Sequence, residues 1–141
     1  MIESLEFLSL DEALEFVPCR PTVAISILSP GRCAAALHPA IDDILRLYFH
    51  DGVARADRHP GTVLFCAEQA QSVVDFLRRH HTRAPAQHLL IHCEAGISRS
   101  AAVAVFAASE CRVALRGQFA FLNPWVLTTL VRSAYPHYAF D

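Results

Sequence analysis

The sequence predicts an α/β fold: a central, mostly parallel β-sheet of about four to five strands with helices on both faces. Three observations carry this. Short apolar runs rich in β-branched residues alternate with segments of helical spacing. Two of those runs, Thr22 to Leu28 and Ile44 to Phe49, read as interior strands, the first apolar on both parities, as a strand covered on both faces must be. The 141 residues, 53% hydrophobic and 18% charged, are enough for one compact domain spanning 1–141.

Along the chain, Leu5 to Leu8 reads as a short first strand. Ser9, with Glu12 three positions on, forms a capping-box pattern that opens a helix to about Phe16; Pro18 and Pro21 end it. Thr22 to Leu28 is an interior strand, and Ser29-Pro30-Gly31 turns the chain behind it. Ile44 to Phe49 is the second such interior strand and stops at His50-Asp51-Gly52. The polar stretch from Gly52 to Gly61 reads as a surface loop long enough to be a functional one. From Val63 the apolar residues recur at 63, 67, 70, 74 and 77, which predicts a helix ending near Arg78 and Arg79. Leu89 to Ile91 is a third interior strand, and a helix follows from Arg99 to about Arg112. After a turn near Gly117, Asn123-Pro124 supplies an N-cap and a first-turn proline. Apolar positions 126, 127, 130, 131 and 134 mark the last helix.

Composition narrows the function. The net charge is −2 with no basic tract, which argues against a nucleic-acid partner. All twelve basic residues are arginine, so lysine Schiff-base chemistry is excluded. Met1 to Glu6 carries two acids and no cation, unlike a signal peptide, and the longest apolar run, Ala101 to Ala108, is too short to span a bilayer. Five cysteines without CxxC spacing read as reduced thiols of a cytoplasmic protein, with Cys19, Cys33, Cys66 and Cys111 as small core residues. His80, His81 and His88 lack partners at ligand spacing and read as solvated surface. No metal or other cofactor and no membrane partner is expected, and the chain is expected to be a monomer.

The informative stretch is Leu89 to Ala104, LLIHCEAGISRSAAVA. A buried strand leads to His92-Cys93, then five residues, then Arg99-Ser100 at the start of an apolar helix. Successive backbone N–H groups of Glu94, Ala95, Gly96, Ile97, Ser98 and Arg99 can converge on one anion, helped by the positive end of the helix. Gly96 allows the backbone conformation such a loop needs. Arg99 offers a planar fork for two phosphoryl oxygens, and the same field favours a thiolate at Cys93. The eight small or apolar residues from Ala101 to Ala108 predict a fully buried, rigid supporting helix. The side chain of Glu94 is expected to point to solvent, leaving only its amide in the cradle.

HCEAGISRS resembles the HC-x5-R-S/T signature of the cysteine-based protein tyrosine phosphatases, most of all their small dual-specificity branch. The resemblance implies a tyrosine-phosphatase-like fold, with the phosphate loop between a strand and a buried helix, and hydrolysis of phosphate monoesters through a phosphocysteine without metal. It implies that Cys93 is the nucleophile, Arg99 binds the phosphoryl oxygens, Ser100 helps the sulfur leave, and His92 orients the loop and helps keep Cys93 ionised. It also implies an aspartate general acid just after an upstream strand. Asp51 stands there, and Asp57 in the same loop competes; the firmer support of a strand end favours Asp51. With one acid and no lysine in the loop, a singly phosphorylated substrate such as phosphotyrosine in a protein, or a small phosphate monoester, is expected. Two alternatives stay open: a non-catalytic phosphoprotein-binding module on the same fold, and a cysteine-loop sulfurtransferase or arsenate reductase.

Overall fold

A computed structural model describes residues 1–53, 59–83 and 85–137. The elements run β1 (Ile2–Leu8), α1 (Leu10–Glu15), β2 (Thr22–Leu28), β3 (Asp43–Tyr48), α2 (Ala67–His81), β4 (Gln87–His92), α3 (Arg99–Cys111) and α4 (Pro124–Ala134). The four strands form one sheet in the order β1-β4-β2-β3, and every neighbouring pair is parallel. All four therefore point their C-terminal ends toward the same edge, the edge at which parallel α/β sheets hold ligands. β2 is buried along its whole length. β3, expected as an interior strand, instead lies at an edge of the sheet: it pairs with β2 on one side, and Arg46 in its middle is exposed.

Strand parity divides the interior in two. Val23, Ile25 and Ile27 of β2 and Leu89 and Ile91 of β4 join the main core with residues of α2, α3 and α4. The alternate residues Ala24 and Leu90 face a smaller cluster closed by Phe16, Leu37 and Ile41. The expected helical layers are thus uneven. Three helices cover one face, while the other is closed by the end of α1 and by the irregular 29–42 connection, whose alanines, prolines and glycine carry no helical apolar stripe.

The capping box at α1 is present in both halves: Ser9 Oγ accepts from the Glu12 amide, and the Glu12 carboxylate accepts from the Ser9 amide. α2 begins at Ala67 rather than near Val63, because His50 and Val63 pair instead, the His50 amide donating to Val63 O at 2.7 Å. Cys66 then sits at the cap position and is exposed, as are Cys19 and Cys33. Of the four cysteines expected in the core, only Cys111 is buried, and burial pushes its thiol up to about 11.

Two histidines expected on the surface are also inside. His80 is buried against Phe76, with Nε2 2.8 Å from Asp43 Oδ2. His88 is buried among Ser4, Glu6 and Arg20, while Nδ1 of His81 accepts the Ile2 amide at 3.2 Å. Their partners lie far away in sequence, which is why spacing did not reveal them. Among the described residues no helix is long and apolar enough to cross a membrane, and no group of three His, Cys, Asp or Glu side chains is placed to hold a metal ion.

Candidate active site

β4 ends at His92 and hands the chain to Cys93, and the 93–98 loop returns it to the start of α3. From Arg99 to Ala104, and again from Phe106 to Ala108, α3 is buried. Its alanines let neighbouring elements approach closely, so the loop stands on a helix packed from β1, β4, α2 and α4. The loop itself is tied down at both ends. Leu10 donates its amide to Glu94 O at 3.1 Å, and Asn123 donates its amide to Ser98 O at 3.1 Å.

Gly96 is required on two counts. Its φ is +75°, and a Cβ there would stand 2.4 Å from the Ser9 nitrogen and 2.7 Å from the Leu8 carbonyl carbon. The loop therefore lies directly against the β1–α1 junction, and only glycine fits both the space and the dihedral.

Cys93 is buried, with Sγ 3.1 Å from Ser100 Oγ and accepting the Gly96 amide at 3.2 Å. Both neighbours can donate to a sulfur that carries charge. Arg99 is also buried, and its guanidinium is held by three bonds. Nη1 donates to Phe49 O at 2.9 Å and to Ser29 Oγ at 3.2 Å, and Nη2 donates to Glu94 Oε1 at 2.9 Å. Nε is buried and has no partner. Of the five N–H donors of an arginine, the Nε–H and one Nη2–H are left over, the pair that forms one edge of the fork.

Glu94 does not point to solvent. Its Oε1 accepts from the Ser29 amide at 3.1 Å, from Ser29 Oγ at 2.5 Å and from Arg99, while Oε2 pairs with Arg32. Burial opposes the charge, but the bonds from Ser29, Arg99 and Arg32 overcome it and hold the carboxyl down at about 2.

His92 is wholly buried, and burial pushes it below the ordinary imidazole value. Its Nδ1 stands 3.1 Å from Cys93 O, which can only accept, so Nδ1 carries the hydrogen. Nε2, 2.6 Å from Ser26 Oγ, then accepts from that hydroxyl. His92 orients the carbonyl of Cys93 as a neutral ring and brings no positive charge to the sulfur.

Asp51 lies beside the loop. Its Oδ1 accepts from Ser98 Oγ at 2.7 Å and from Asn123 Nδ2 at 2.8 Å. The Ser98 hydroxyl is thereby drawn away from capping, and α3 starts without a side-chain cap, its first amides open to an anion. Asp57 lies outside the described residues. A depression of about 160 Å³ next to the loop is lined by Asp51, Val53, Ser98, Phe121, Leu122 and Asn123, with Phe121 strongly exposed at 76%. Trp125 is turned inward instead, donating its indole N–H to Phe65 O.

The structure thus brings Cys93, Arg99, Ser100, His92 and Asp51 to one end of the sheet. It adds three side chains that the sequence did not single out for the site: Ser29, Arg32 and Asn123. Ser29 follows a buried parallel strand directly, and that position is the signal, because such strand ends share one edge. Asn123 is the N-cap of α4 as expected, accepting from the Val126 amide, but its Nδ2 serves Asp51 and Gly52 O as well. No protein-family model, curated protein or solved structure matches the chain.

Proposed function

We propose that this chain is a cysteine-dependent phosphoric monoester hydrolase of the tyrosine-phosphatase type, acting on phosphorylated protein through a phosphocysteine. The observation that carries the reading is Arg99: a buried guanidinium held on three bonds, with Nε lacking a partner, at the start of an uncapped helix beside a buried thiol. A buried donor left without a partner costs about 1–3 kcal/mol. Two phosphoryl oxygens on Nε and Nη2 would remove that cost and would meet the helix amides as well.

In the first step the Cys93 thiolate attacks phosphorus, the S–P bond forms, and the bond to the ester oxygen breaks. Asp51 gives its proton to the departing oxygen, so the alcohol or phenol leaves neutral. In the second step water attacks the phosphocysteine while the Asp51 carboxylate takes its proton. The S–P bond breaks, inorganic phosphate forms, and the Ser100 hydroxyl, 3.1 Å from Sγ, donates to the returning thiolate. The depression lined by Phe121 and Asp51 meets the loop at Ser98, and its exposed ring suits an aryl leaving group.

The test is hydrolysis of p-nitrophenyl phosphate between about pH 5 and 8 with EDTA present, wild type against Cys93→Ser. Turnover in the wild type, lost in the variant, supports the reading. A reduced, folded wild type that binds phosphopeptide without turnover, or forms a persulfide with thiosulfate, overturns it.

A further inference from the structure

We propose that Glu94 is a positioning residue for Arg99: with Ser29 it fixes the head of the guanidinium, so that the Nε edge is the part left for an anion. The proposal rests on the reading of Cys93 and Arg99 as a phosphate site and adds how that site is set before substrate arrives. Arg99 Nη1 reaches Ser29 Oγ, Ser29 Oγ donates to Glu94 Oε1, and the same Oε1 accepts from Arg99 Nη2. Three groups close a ring that occupies both Nη atoms on one side, and Phe49 O takes a further hydrogen of Nη1.

A plain surface ion pair would look different. An exposed carboxylate paired with Arg32 alone contributes little and needs no second partner. Glu94 instead turns Oε1 inward to three donors, and only Oε2 meets the half-exposed Arg32. The Arg99 side chain is 7% exposed, and a cation so placed needs a fixed counter-charge in the free protein. Glu94 supplies it from within the loop, so the ligand and its arginine are aligned by the same few residues.

The test compares Glu94→Ala, Glu94→Gln and Ser29→Ala with wild type in three readouts. These are the KM and kcat for p-nitrophenyl phosphate, the dissociation constant of tungstate as an oxyanion probe, and the Arg99 Nε–H resonance, assigned by its absence in Arg99→Lys. Glu94→Ala should weaken tungstate binding and raise KM about tenfold or more, the size of one lost charge-assisted hydrogen bond. The pH profile should not move, and the Nε–H signal should broaden as the guanidinium loses its fixed orientation. Glu94→Gln keeps an oxygen acceptor and should restore most of the loss, and Ser29→Ala should shift the same readouts by less. Tungstate affinity and an Nε–H signal unchanged in Glu94→Ala overturn the proposal, as do Ala and Gln variants that fail equally in step with lost thermal stability. If wild type neither turns over nor binds tungstate, the phosphatase reading fails on its own, and the Nε–H signal still decides the role of Glu94.

Discussion

β4 carries a buried histidine near each end, and the surroundings of the two differ in how polarity is settled. At the N-terminal end, His88 Nδ1 faces Ser4 Oγ at 2.8 Å and Arg20 Nη2 at 3.2 Å, and Nε2 faces Glu6 at 3.1 Å. Arginine can only donate, so Nδ1 is the acceptor and Nε2–H the donor, and both ring nitrogens are satisfied. At the C-terminal end, His92 is just as well satisfied, but its neighbours are not. Arg99 Nε is buried without a partner, and α3 starts without a side-chain cap. One end of the strand closes its histidine in polar contacts, and the unpaired buried atom beside it, Gln87 Oε1, is an acceptor. The other has donors in excess, and a fixed excess of donors is what an anion site consists of.

Removing the chemistry from the open end should give the largest effect. Cys93→Ser and Arg99→Ala should lower turnover by about 10⁴-fold or more, the scale at which essential groups of one catalytic unit fail. Cys93→Ser should keep its melting temperature close to wild type, since the change is nearly isosteric. Measurable hydrolysis by purified Cys93→Ser above a buffer control would sink the nucleophile assignment.

Distorting the open end without touching its reacting groups comes next. Gly96→Ala forces a side chain onto the Leu8–Ser9 backbone at a φ of +75°. Strain of this kind costs about 1–3 kcal/mol. The loop would relieve it by shifting, and a misplacement of about 1 Å is worth about a hundredfold in rate. Circular dichroism melts and steady-state kinetics on the one variant separate the two losses. Wild-type rates in Gly96→Ala would mean that the loop geometry is not what the reaction depends on.

Much of this end was legible because Cys93, Gly96, Arg99 and Ser100 lie within eight residues, so one stretch of chain encodes thiol, turn, cation and helix start. Asp51 was singled out through the resemblance, which implies an acid just after an upstream strand, and β3, Asp43–Tyr48, does end shortly before it. The direction of the Glu94 side chain was not legible, since Ser29 and Arg32 come from a turn more than 60 residues earlier. The interior positions of His80 and His88 were hidden in the same way by Asp43 and Glu6. Sequence spacing reports local partners well, and it says little about side chains that other strands bring.

Asn123 links the open end to the body of the fold, and its loss should be milder. Asn123→Ala removes the cap of α4 and one of the two donors to Asp51 Oδ1. The cap alone is worth about 1 kcal/mol. In the proposed mechanism Asp51 protonates the leaving group, so the rate should fall more with an alkyl phosphate than with p-nitrophenyl phosphate. Equal losses on both substrates would show that Asn123 acts through stability and not through Asp51.

The closed end should affect stability and leave turnover alone. Burial lowers the His88 value from 6.5, with Glu6 opposing the shift and Arg20 reinforcing it, so the unfolded chain binds a proton at pH values where the folded one does not. Stability from the neutral ring is therefore complete above about 6.5 and is lost as the pH falls below 6.5 toward the lowered folded value. His92 is shifted in the same direction, so wild type should carry both contributions in this window. The carboxylate of Glu94, held at about 2, titrates well below it. His88→Gln removes one of the two histidines while keeping a side chain that can hydrogen-bond within the network. Denaturant midpoints measured from pH 7.5 down to 5 should therefore fall less steeply in the variant, with kcat/KM for p-nitrophenyl phosphate unchanged at pH 7. An identical slope in wild type and variant would place the acid sensitivity at His92 alone. A changed kcat/KM would couple the two ends of β4, where the hydrogen bonds show each histidine tied only to groups at its own end of the strand.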